Sequence, residues 1–197
     1  IDDPLFILSA RQIQSHPFDF YGFNVNWDGR EAPMATLAPN PPLAAYYLAL
    51  VASLFGWSEI ALHAGFLLPA LAVVLGTYQL ARRFGANPVA AALVTITAPV
   101  FVVTSTSVMC DTMMLALWVW SVFFWVEGLA QQTAWRLAVA GILMAACSLT
   151  KYFGMSLVPL LLMYALLERR KVGGWAVYLL LPVLALLSYQ WMAHQLY

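Results

Sequence analysis

The stretch NPVAAALVTITAPVFVVTSTSVMCDTMMLALWVWSVFFWVEG, residues 87–128, decides what kind of protein this is. Between Pro88 and Val126 it carries a single charged side chain, Asp111. One continuous helix over that run would be about 58 Å long at roughly 1.5 Å per residue. The hydrocarbon core of a bilayer is only about 30 Å thick. The run therefore reads as two crossings joined at the polar TSTS of residues 104–107, which puts Asp111 close to the turn and away from mid-membrane.

The rest of the chain agrees. Of its 197 residues, 63% are hydrophobic and 9% are charged, against about 45–50% and 25% in ordinary globular domains. A chain of this length cannot hide so much apolar surface in one core, so lipid is its solvent. Nine acidic residues balance nine basic ones, which leaves no basic face for nucleic acid. The expected fold class is all-α, a polytopic transmembrane helical bundle with an ordered first loop outside the membrane.

Working outward, the spans fall at about 59–81, 89–104, 108–126, 137–150, 152–167 and 174–194. The segment 137–167 is long for one crossing and short for two, and charge decides between them. Cytoplasmic loops carry the excess of Lys and Arg. If 137–167 crosses twice, breaking at the TKYFG of 150–154, then Arg136 and Arg169-Arg170-Lys171 share a side with Arg82-Arg83. Six of the nine basic residues then lie on the cytoplasmic face. The first loop, the TSTS turn and Lys151 all lie on the other.

Residues 1–57 form that extracytoplasmic part and residues 58–197 the bundle. PLFILSARQI has the apolar spacing of an amphipathic helix, closed by His16-Pro17. Residues 16–42 are rich in Pro, Gly, Asn and aromatics and read as ordered loop. PLAAYYLALVASLFGW is too short to cross and reads as an interfacial helix. No initiator Met or leader precedes Ile1, so the chain is expected to be part of a longer protein.

Few charges remain as candidates for chemistry. An ionisable residue in or near a span is a functional hypothesis by default. Asp111 has the plainer reading of a cap on a helix starting at Thr112, and Lys151 that of a side chain snorkelling to headgroups. As a flexible point charge, Lys151 also suits a phosphate. Asp2 and Asp3 favour a first helical turn, with Pro4 just inside it. One acid suffices there, so the other is open to general-base work, or the pair to a divalent cation. His16, His63 and His194 are too scattered for a metal site, and His63 reads as a hydrogen-bonded packing residue. Cys110 and Cys147, both in apolar runs, read as small buried hydrophobes. A transporter using Asp111 and Lys151, and a non-catalytic membrane subunit, are the rival readings.

Five motifs in order resemble the GT-C membrane glycosyltransferases of the protein O-mannosyltransferase and lipid A aminoarabinose transferase type, glycosyltransferase family 39. They are DDPLFILSARQI, NPPLAAYYLAL, YQLARRFG, SVMCDTMMLALW and LTKYFGMSL. The resemblance implies inverting transfer of a sugar from a polyprenyl-phosphate donor to an acceptor hydroxyl. It places the protein in a bacterial inner membrane with its active site on the extracytoplasmic face. It implies Asp2, beside Asp3, as the base on the acceptor, and Lys151, with Arg30 second, as the cation for the donor phosphate. Asp111, Tyr46 and Tyr47 would line the donor site. Relatives often carry a basic residue beside the Pro-Pro and an Arg at the place of His63; this chain has Asn40 and His63 there. The piece in isolation is expected to bind without turning over.

Overall fold

A computed structural model describes residues 3–27, 29–38 and 40–197, the side chain of Asp3 excepted. The amphipathic N-terminal segment forms α1 (Asp3–Ser15). It stops one residue short of His16, which precedes Pro17, because the proline ring disfavours the helical region for the residue before it. The loop that follows holds a feature the sequence reading did not expect, a small antiparallel hairpin of β1 (Asn24–Asn26) and β2 (Glu31–Pro33). Its turn uses Gly29 at φ 76°, a left-handed conformation that glycine adopts without steric cost. Strands of three residues are too short for alternation to show in sequence.

The single turn α2 (Met34–Leu37) leads to α3 (Leu43–Phe55), which packs on α1 and on α4. Phe20, Tyr21, Met34, Leu48, Phe66 and Val108 are buried together where these elements meet. α4 (Glu59–Arg83) starts at Ser58, whose Oγ accepts the Ala61 N–H at 3.3 Å. It ends in Arg82-Arg83, where the helix C-terminus favours cations.

The expected straight span 89–104 is bent. α5 (Pro88–Thr97) and α6 (Pro99–Ser105) meet at 68°. Ala98, just before Pro99, is extended at ψ 121°, and proline supplies no N–H to continue the ladder. The chain then returns through α7 (Cys110–Gln131) and α8 (Ala134–Thr150). A 3₁₀ turn over Tyr152–Ser156 opens α9 (Leu157–Arg169), and another over Gly174–Leu179 opens α10 (Leu180–Leu196). α8 packs against α7 and α10, and a second buried cluster of Trp125, Leu137, Met144, Cys147, Leu157 and Leu161 lies there.

Among the described residues, four helical stretches are long and apolar enough to cross a membrane, and a fifth if the bent α5–α6 pair is one span. Of the six expected spans, the one over 137–150 falls on α8, which has 17 residues and is below that length. The fold is an all-α polytopic membrane bundle. Two of its helices approach closely at Gly76, where a Cβ would stand 2.6 Å from Val119 Cγ1.

Contacts sort the helix ends into two groups. At one end, Glu127 on α7 pairs with Arg83 of α4 at 2.5 Å and with Arg136 of α8 at 2.8 Å. Arg169 at the end of α9 donates from Nη2 to the Leu129 carbonyl. At the other end, His63 near the start of α4 meets the turn before α7, and the first loop packs against Val108 and the far half of α10. These are the basic end and the loop end of the bundle.

Candidate active site

The site is built at the loop end, where α7 begins and α8 stops. α7 begins at Cys110 with Met109 as its cap residue, and no side chain caps it there. The reading of Asp111 as the cap of a helix from Thr112 is thus corrected: Asp111 lies inside the first turn. A carboxylate in that turn is favoured by the helix dipole. Its Oδ1 accepts a hydrogen bond from Lys151 Nζ at 2.7 Å. Lys151 follows directly on α8, in extended backbone at φ −154° and ψ 135°. The two side chains are 31% and 32% exposed, so the pair faces an accessible space while remaining joined.

Two further contacts hold the turn that carries Lys151. Phe153 stacks on Trp118 with ring centroids 5.5 Å apart and planes 15° from parallel. Trp118 is seven residues after Asp111, hence on the same face of α7. Gly154 donates its N–H to the Lys151 carbonyl at 2.8 Å. A Cβ on Gly154 would lie 2.5 Å from the Cys147 carbonyl carbon and 2.6 Å from its oxygen. Only glycine lets the 3₁₀ turn lie back on α8. Gly154 was missed as a positioning residue, although a glycine three residues after the lysine in LTKYFG was its signal.

Aromatic rings join this turn to the first loop. Tyr152 stands 6.5 Å from Tyr189 of α10, which stacks on Phe20 at 6.1 Å. Tyr197 accepts the Tyr21 backbone N–H at 2.8 Å and donates to Asp19 Oδ1 at 3.1 Å. Burial pushes the Tyr197 phenol up to about 12 and raises that of Tyr21 above the ordinary tyrosine range. Both hydroxyls therefore stay protonated donors at neutral pH. Leu5, Phe6 and Ile7 of α1 pack against the cluster containing Val108, three residues before Asp111. The head of α1 and the Asp111–Lys151 pair thus belong to the same end.

The remaining expected residues are distributed more widely. Tyr46 donates its hydroxyl to the Pro17 carbonyl and lines an apolar cavity of about 280 Å³ with Phe20, Leu149, Tyr189 and Met192. Tyr47 donates to the Gly65 carbonyl at 2.6 Å. That carbonyl lacks its helical partner because residue 69, four positions on, is a proline. The Tyr47 hydroxyl thus repairs a gap in α4. Arg30 is exposed in the β1–β2 turn, beside Trp27, Ala32 and Leu37. His63 donates from Nδ1 to the Thr106 carbonyl at 2.8 Å, the packing role expected of it. Cys110 and Cys147 are both buried. Asp2, and the carboxylate of Asp3, lie outside the described residues. Among the described residues, no three metal-ligating side chains gather.

A family model described as dolichyl-phosphate-mannose-protein mannosyltransferase matches residues 39–192, most of the chain. The chain belongs to this family. Its membership makes it a membrane protein of a mannosyltransferase-type glycosyltransferase family, and the four apolar helices agree with that. The match includes Asp111, Lys151 and both tyrosines and begins after Asp2, Asp3 and Arg30. No curated protein and no solved structure matches the chain significantly.

Proposed function

We propose that the protein transfers a sugar from a polyprenyl-phosphate donor to an acceptor hydroxyl, with inversion, at the extracytoplasmic surface of a bacterial inner membrane. The observation that carries this reading is the mannosyltransferase family match over residues 39–192. The loop end faces outward in this reading, because the basic end has the Arg and Lys excess of a cytoplasmic face. The bundle then crosses six times, with α8 as a short crossing that runs between Arg136 and Lys151.

In the reaction the acceptor O–H attacks the anomeric carbon of the donor. Its proton passes to the Asp2 carboxylate as general base, with Asp3 beside it. The bond from the anomeric carbon to the phosphate oxygen breaks, and polyprenyl phosphate leaves with the electron pair. Lys151 offsets the phosphate charge. An ammonium group has three N–H donors, so a bond to Asp111 and one to a phosphate oxygen are compatible. Asp111 holds the ammonium in position, and Arg30 stands as a second phosphate contact from the hairpin. The apolar cavity beside Tyr46 begins at Leu149, two residues before Lys151, and suits the first isoprene units of the donor. The same scheme accommodates a divalent cation held by the carboxylate oxygens of Asp2 and Asp3.

The test is sugar transfer from labelled polyprenyl-phosphate sugars by the full-length protein in membranes. Asp2→Asn is expected to lower turnover by roughly 10²–10⁴ while donor binding persists. Lys151→Met is expected to weaken donor binding. Wild-type turnover in both variants would overturn the assignment.

A further inference from the structure

A second cavity lies at the basic end, far from the chemistry proposed above, and has no part in it. It encloses about 580 Å³ between the end of α7, the start of α8, the end of α9 and the 3₁₀ turn before α10. Leu129, Leu137, Trp175 and Tyr178 give it apolar and aromatic walls, and Arg169 and Lys171 supply its charge. Among the described residues no carboxylate lines it. This is the size of a small-molecule site, and a cavity with greasy walls and a cationic rim matches a ligand with an anionic head and an apolar body.

The surrounding charge strengthens that match. Six basic residues (Arg82, Arg83, Arg136, Arg169, Arg170 and Lys171) and two acidic ones (Glu127 and Glu168) sit at this end. Glu127 is already held between Arg83 and Arg136, so it does not neutralise the cavity. Arg169 is fixed at the wall by its bond to the Leu129 carbonyl. A guanidinium has five N–H donors in a planar fork, so anchoring by one orients the others. Trp175 is likewise fixed, packing edge-on against the buried Trp125 at 6.1 Å. Tryptophan and tyrosine at such a place suit the headgroup level of a bilayer.

We infer that this cavity binds the headgroup and upper acyl chains of an anionic phospholipid. A basic pocket between membrane helices on the cytoplasmic side is a site of the right chemistry, because that leaflet holds the anionic lipids. The lipid phosphate meets Arg169 and Lys171, and the first acyl carbons lie along Leu129, Leu137 and Trp175.

The experiment is native mass spectrometry of the full chain in detergent, titrated with phosphatidylglycerol or with phosphatidylcholine of the same acyl chains. Wild type is expected to retain one phosphatidylglycerol in preference to phosphatidylcholine. Lys171→Gln should weaken that retention about fivefold, the effect of one cation near the headgroup. Gly174→Leu tests the cavity itself. A Cβ on Gly174 meets nothing within 4 Å, so a side chain there starts in open space, and because Gly174 lines the cavity a leucine takes up room the lipid needs. It should weaken retention similarly with every charge kept. Equal retention of both lipids by wild type would overturn the inference. So would an unchanged Gly174→Leu beside a weakened Lys171→Gln, which would show attraction to the whole basic face only.

Discussion

The two ends of the bundle use ion pairs differently. At the basic end one carboxylate, Glu127, is clasped by two arginines from different helices and is only 14% exposed. The charges there tie α4, α7 and α8 together. At the loop end, Asp111 and Lys151 form an ion pair in which each side chain is about a third exposed. The first arrangement is built to remain shut. The second leaves both partners reachable by a ligand, and its geometry is set by neighbours: the Trp118–Phe153 stack and the backbone approach at Gly154. A helix bundle can thus keep an accessible ion pair at one end while a carboxylate shared by two arginines fastens the other.

If the ends divide the work in this way, substitutions should separate turnover from stability. Lys151→Met is expected to cut sugar transfer by about 10²–10³, the usual loss of an electrostatic contact to a leaving group. Its stability cost should stay within about 1 kcal/mol, as for exposed pairs. Transfer assays and denaturant titration of the same preparation read both numbers. A stable variant with full transfer would make the pair a surface ornament. Gly154→Ala comes next. Forcing the 3₁₀ turn off α8 misplaces Lys151 without removing it, and displacement of about 1 Å can cost roughly 10² in rate. The ion pair should survive in that variant, so the donor dependence of the rate distinguishes it from Lys151→Met.

At the basic end the pattern should invert. Glu127→Gln is expected to lower stability by about 2 kcal/mol, the scale of losing charged hydrogen bonds. Transfer per folded molecule should be unchanged. A selective loss of turnover there would mean that the ends are coupled. The smallest effect is expected from Tyr47→Phe, which leaves the proline-freed Gly65 carbonyl without its donor. The cost is about 1 kcal/mol, seen in unfolding midpoints, and donor affinity should not change if the hydroxyl serves only α4.

Much of this was legible in the residues. The hairpin at 104–107 follows from length against bilayer thickness, and the Ser58 start and Arg82-Arg83 end of α4 follow from capping and dipole rules. Asp111 and Lys151 stood out because charge is rare in this chain. Their pairing did not, since residues forty positions apart meet only through how α7 and α8 pack. The bend at Ala98 was within reach, as Pro99 is plain to see, but a proline inside an apolar run is compatible with both a kink and a break. The β1–β2 hairpin and the Tyr47 bond were hidden for different reasons. One is too short to show periodicity. The other requires knowing that Pro69 lies opposite Tyr47, which is a tertiary fact.

The bonds of Tyr197 bear on biosynthesis. Residues 19–21 leave the ribosome early, yet their backbone and carboxylate partners arrive 176 and 178 positions later. Until α10 is inserted, the Tyr21 N–H and the Asp19 carboxylate lack the phenol that joins them. The first loop therefore takes its finished shape only when this last described helix is in place. That timing makes the aromatic knot around Phe20 a checkpoint on assembly: a chain halted before α10 presents an open loop to any protease or chaperone that meets it.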